Sequence, residues 1–142
     1  MATFRVFIVD DFEPWRRAVR SILGQHKGLE VIFESSKGLE AVRKSVELQP
    51  DLVLLDIGLP DLCGLETARQ IRKISPGSRI IFLTTNRCPE LEQEALRIGA
   101  LGFLIKSDAG RDLLPAVSSA MRDEQFASSR FLHPDPGKPS DP

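Results

Sequence analysis

Asp51-Leu-Val-Leu-Leu-Asp56-Ile-Gly-Leu-Pro60 runs four apolar residues straight into a carboxylate. Leu52 to Leu55 read as a buried strand, and Gly58 and Pro60 turn the chain directly after it. A carboxylate ending a buried strand is costly unless something compensates its charge. Asp56 is therefore a cap, a ligand or a nucleophile, and its surroundings decide which.

Working outward, the same pattern of apolar run, polar end and helix repeats on both sides. Phe4-Arg-Val-Phe-Ile-Val9 is a first strand ending in Asp10-Asp11. Pro14 suits the first turn of a helix in which Trp15, Ala18, Val19, Ile22 and Leu23 recur at helical spacing, leaving Arg16, Arg17 and Arg20 outward. Glu30 to Phe33 is a second, shorter strand. Ser36 is placed to cap a helix carrying Leu39, Val42, Val46 and Leu48, closed by Pro50.

Beyond Pro60, Gly64 to Ile74 carries Leu65, Ala68, Ile71 and Ile74 at spacings of three and four. Arg79 to Thr84 is a fourth strand, and Pro89 opens a helix with Leu91, Ala95, Leu96 and Ile98, stopped by Gly99. Leu101 to Ile105 is a fifth strand ending at Lys106. Asp108 suits the cap of a last helix, in which Pro115 is tolerable only within the first turn.

Five strands alternating with five helices, each strand a continuous apolar run, predict an α/β fold: a parallel sheet covered on both faces, doubly wound in three α/β/α layers. The commonest strand order for such a flavodoxin-like sheet is 2-1-3-4-5. In that order the carboxyl ends share one edge, where Asp10, Asp11, Asp56, Thr84 and Lys106 converge, and strand two falls outside the group. With neighbouring strands about 4.8 Å apart, three carboxylates crowd one site, which disfavours ionisation unless a cation joins them. An all-oxygen site with open positions suits Mg²⁺, and the Gly58 carbonyl is placed to complete it. Lys106 supplies a point charge for a phosphoryl oxygen and Thr84 a neutral hydroxyl, a set fitted to phosphoryl transfer onto a carboxylate.

The wording around these positions resembles the CheY-like receiver domain of bacterial two-component response regulators. The resemblance covers residues 3 to about 124. It rests on Val9-Asp10-Asp11, Pro50-Asp-Leu-Val-Leu-Leu-Asp56, Leu59-Pro60 with Gly64-Leu-Glu66, Leu83-Thr84, and Gly99-Ala-Leu-Gly-Phe103-Leu-Ile-Lys106-Ser-Asp-Ala. The last stretch is most similar to receivers preceding helix-turn-helix output domains of the LuxR/NarL kind. The resemblance implies that Asp56 accepts a phosphoryl group from a histidine kinase or histidine phosphotransfer protein. It implies Mg²⁺ held by Asp10, Asp11, Asp56 and Gly58, Lys106 pairing with the phosphoryl group, and Thr84 and Phe103 rearranging to alter the surface of helix four, strand five and helix five. Gly58 and Asn86 take the positions that tune the phosphoryl lifetime. Two departures stand out: Ser107 replaces the usual proline after the lysine, and Thr85 is bulkier than the usual alanine, which restricts access to Asp56.

Composition fits this reading. A chain of 142 residues, 42% hydrophobic and 27% charged with net charge −1, has the size of one domain and lacks the basic excess of a nucleic-acid surface. Residues 1–124 read as the receiver and 125–142 as a flexible Pro- and Ser-rich tail or linker stub. Cys63 and Cys88 form no CxxC and read as reduced thiols in a cytoplasmic protein. No apolar run reaches the ~18 residues of a membrane span, and no signal-peptide pattern opens the chain. The expected behaviour is a switch, not an enzyme acting on others, with a homodimer as a possible phosphorylated state.

Three other readings compete. A haloacid-dehalogenase-type phosphohydrolase needs a second Asp where Gly58 stands, and no P-loop or GxGxxG occurs. A dimerisation module that is never phosphorylated would be marked by a lost acidic or lysine position, and none is lost. A receiver cut from a LuxR-type DNA-binding regulator remains compatible with the tail, though this chain alone holds nothing after strand five that could bind DNA.

Overall fold

The computed structural model describes residues 3–126; of the tail expected at 125–142, all but Gln125 and Phe126 lies outside them. The chain runs β1 Phe4–Val9, α1 Glu13–Leu23, β2 Leu29–Ser35, α2 Gly38–Leu48, β3 Leu52–Asp56, α3 Gly64–Ile74, β4 Arg79–Thr84, α4 Pro89–Ile98 and β5 Gly102–Ile105. A 3₁₀ turn at Lys106–Asp108 then leads into α5, Ala109–Met121. All strand pairs are parallel and the order is β2-β1-β3-β4-β5, as expected. Parallel neighbours need a crossover, and here each crossover is one helix.

Alternation along the strands divides the core in two. Val6, Ile8, Leu52, Leu54, Ile81, Leu83 and Leu104 face Val19 and Leu23 of α1 and Leu113 and Val117 of α5. Phe7, Val9, Val53, Leu55, Ile80, Phe82 and Phe103 face Ala41, Ala68, Ile71 and Ala95 of α2, α3 and α4. β3, central in the sheet, is buried at every residue, Asp56 included. Pairing of Val9 with Leu55, Asp56 with Leu83 and Thr84 with Ile105 brings the strand ends level at one edge.

Several local expectations are corrected. β2 is longer than Glu30–Phe33, and β5 begins one residue later than Leu101. α2 turns Gly38, Ala41 and Ser45 inward and leaves Leu39 and Val46 exposed, because it lies tight against the loop before α3. A Cβ on Gly38 would stand 2.9 Å from the Leu62 carbonyl oxygen, so only small residues fit that face. Ser36 does not cap α2. The first free amides, of Gly38 and Leu39, donate instead to Asp61 at 2.8 and 3.0 Å. Ala18 and Leu96 are exposed, whereas Arg16 is drawn in by Glu34 at 3.3 Å. Pro115 lies in the second turn of α5, not the first. It faces solvent, where the Arg111 carbonyl it leaves unbonded can meet water.

After α5 the chain folds back: the Phe126 N–H donates to the Leu101 carbonyl at 2.7 Å, and its ring packs on the α1–α5 core. Among the described residues, no helix is long and apolar enough to cross a membrane.

Candidate functional site

Each acidic group owes its place to a strand that ends beneath it. Asp10 follows β1 and is buried. Its Oδ1 accepts the Phe12 N–H at 2.9 Å, which fixes the carboxylate at the start of α1. Arg16, one turn into that helix, donates to the Asp10 carbonyl at 2.5 Å. Asp11 is exposed beside it, and Asp56 closes β3 with only 8% exposure. One carboxylate oxygen from each of the three lies within 4.8 Å of the others.

Lys106, at the end of β5, reaches back over the edge. Its Nζ stands 2.5 Å from Asp10 Oδ2 and 3.6 Å from Asp56 Oδ1. One ammonium does not balance three carboxylates. Burial, and then the charge of Asp10, push the Asp56 carboxyl above its ordinary value of 3.8, although Lys106 and a hydrogen bond from the Gly58 backbone N–H oppose the rise. A divalent cation among these oxygens would reverse the imbalance, so the donor set fits a hard, oxygen-seeking ion.

A cavity of about 600 Å³ opens over the cluster. Asp11, Asp56, Gly58, Thr84 and Lys106 supply its polar lining, and Phe12 and Trp15 form an apolar wall on the α1 side. Thr85 also lines it, where its bulk was expected to restrict access. The Thr84 hydroxyl donates to the Asn86 carbonyl at 3.1 Å.

The structure thus brings together Asp10, Asp11, Asp56, Gly58, Thr84 and Lys106. The contact it gives Gly58 to Asp56 is through the N–H. Phe103 is not part of the cavity lining; it lies buried on the α4 side, its ring centroid 6.4 Å from that of Phe82. Cys63 and Cys88 are free thiols. Sequence reasoning missed Phe12 and Trp15 as walls. The available signal was their place in the chain: a helix starting directly after Asp10-Asp11 sets residues 12 and 15 along the same edge.

Comparison with known proteins points to one family. The family model described as the response regulator receiver domain matches residues 6–118. The response regulator protein VraR of Staphylococcus aureus is 34% identical over 130 residues, an alignment that takes in 92% of this chain. The chain spans 62% of the length of that relative. Among solved structures, a LuxR-family two-component response regulator from Aurantimonas sp. SI85-9A1 superposes with a TM-score of 0.86 at 28% identity, covering 92% of this chain and 94% of its own. The response regulator domain of Thermotoga maritima CheB gives 0.78 at 30% identity, covering 84% and 97%.

Proposed function

The chain belongs to the response regulator receiver domain family, and from that premise we propose that Asp56 is the residue that accepts the phosphoryl group, donated by the phosphohistidine of a histidine kinase or histidine phosphotransfer protein. The observation that carries this assignment is the meeting of Asp56, two further carboxylates and Lys106 in one cluster beneath a cavity at the end of a fully buried strand. A carboxylate oxygen of Asp56 attacks phosphorus, the P–N bond breaks, and its electron pair leaves with the imidazole. The attacking group must be ionised, and burial beside Asp10 works against that.

Asp10, Asp11 and Asp56, with Gly58, would hold Mg²⁺; when bound, the ion offsets their charge and that of the incoming phosphoryl oxygens. Lys106 is already 3.6 Å from Asp56, so it can leave Asp10 for a phosphoryl oxygen without moving its backbone. Thr84 would exchange the Asn86 carbonyl for the same group. Phe103, buried in this structure, would fix the α4 side of the sheet in one of two packings. Residues 1–124 are the proposed receiver unit. Nothing in this scheme acts on another substrate, so the chain works as a switch.

The test uses small phosphodonors. Acetyl phosphate with Mg²⁺ is expected to add one phosphoryl group by intact mass, and beryllofluoride with Mg²⁺ to change Trp15 fluorescence; Asp56→Asn is expected to show neither. A wild-type chain that gains no phosphoryl mass and shows no metal-dependent fluorescence change overturns the assignment.

A further inference from the structure

Trp15 sits in the first turn of α1 behind Pro14, its half-buried ring shared between the cavity and the α1–α5 core. The Lys106 Nζ lies 5.4 Å from the centre of that ring. The same ammonium is 2.5 Å from Asp10 and 3.6 Å from Asp56. The indole N–H is buried and meets no acceptor among the described residues.

A buried donor without a partner costs free energy that a Phe or Leu in the same place would not incur. Packing against the core therefore gives no reason for an indole here, and hydrogen bonding gives a reason against one. What the indole has over Phe and Leu is its face, the strongest cation-attracting surface among side chains.

We propose that Trp15 is a positioning residue for Lys106: its ring face holds the ammonium at the gap between Asp10 and Asp56. The ring accepts no directed hydrogen bond from the ammonium. It restrains Lys106 while leaving the N–H groups free to point at carboxylates and, on the phosphoacceptor reading of Asp56, at the phosphoryl oxygen that replaces Asp10 as partner. A further carboxylate at this position would hold Lys106 too, but would compete with the phosphoryl group for it and add a fourth negative charge to the cluster. The face of an aromatic ring does neither.

The test compares Trp15→Phe, Trp15→Leu, Lys106→Met and the Trp15→Leu/Lys106→Met double variant in the full chain. In the wild type, the ring current is expected to shift the Lys106 ε-methylene protons upfield; the shift shrinks in Trp15→Phe and vanishes in Trp15→Leu. In urea, the midpoint shift of the double variant is expected to fall short of the sum of the two single shifts. With acetyl phosphate and saturating Mg²⁺, Trp15→Leu is expected to slow adduct formation about three- to tenfold, a loss in the range a cation–π contact can produce. Trp15→Phe restores most of the rate, and in the Lys106→Met background the leucine causes no further loss.

Additive midpoints, or equal slowing with and without Lys106, overturn the proposal and leave Trp15 a core residue. Non-additive midpoints with a shifted Lys106 resonance in a chain that takes up no phosphoryl group support the contact and overturn the reading of Asp56 instead. Should Trp15→Leu not fold, the weaker shift expected of Trp15→Phe carries the same comparison, and an unchanged resonance there overturns the contact.

Discussion

Asp56 carries its charge at a disadvantage, and removing that charge should show what the fold tolerates for the sake of the site. Its carboxyl is held above 3.8 first by burial and then by Asp10. A group whose folded pKa is raised loses stability as pH climbs through the window between the unfolded and folded values. Asp56→Asn is therefore expected to melt higher than the wild type at pH 7 without divalent ions. The difference should disappear below about pH 3.8, where both states of the wild-type residue are protonated; thermal melts across pH 3 to 8 check this. The cluster itself was readable because each member follows an apolar run, and parallel strands of known order leave one place for their ends to meet. Side-chain rotation was not readable. That Thr84 bonds the Asn86 carbonyl is a rotamer choice within one loop, and that Phe103 packs beside Phe82 depends on a neighbour one strand away.

Among the elements, the strands were legible nearly residue for residue, since an apolar run bounded by polar groups has one reading in a buried parallel sheet. α2 was not. Its helical period is plain, but the period does not say whether Leu39 and Val46 or Gly38, Ala41 and Ser45 face in; the closeness of the Leu62 loop decides. Its cap is equally remote, since Asp61 lies 23 residues past Gly38. Slight desolvation pushes the exposed Asp61 carboxyl up, but the N–H groups of Leu39, Gly38, Leu62 and Asp61 itself together hold it below its ordinary value. A lowered carboxylate contributes stability above its unfolded pKa, lost as pH falls through the folded one. Asp61→Ala should cost about 1 kcal/mol at pH 7 by urea denaturation, with the deficit shrinking below pH 3.8. Pro115→Ala should act in the opposite direction, gaining about 1 to 2 kcal/mol by restoring a helical hydrogen bond. Gly64→Ala should fail to fold or lose Asp56 geometry, because a Cβ there would stand 2.6 Å from the Ile57 Cα and meet the Asp56 carbonyl.

For the molecule as a whole, the lines of force converge on α4 from two sides. Its Glu94 accepts from Arg69 of α3 and Arg97 of its own last turn, each at 2.7 Å, while its N-terminal loop carries Asn86, the partner of Thr84. Withdrawing Thr84 from that loop is expected to shift α4 and alter how copies of the chain meet. Size exclusion with light scattering should then show a heavier species with Mg²⁺ and beryllofluoride than with Mg²⁺ alone, and no difference in Asp56→Asn. The link from Lys106 to Asp10 carries a further consequence. These residues are 96 positions apart and directly follow the last and first strands of the sheet. A growing chain on the ribosome holds Asp10, Asp11 and Asp56 long before Lys106 has emerged, and contacts of such separation are the slowest to close. A half-made chain thus displays the carboxylates without the ammonium that reads them, so it cannot report a signal before its synthesis has passed the fifth strand.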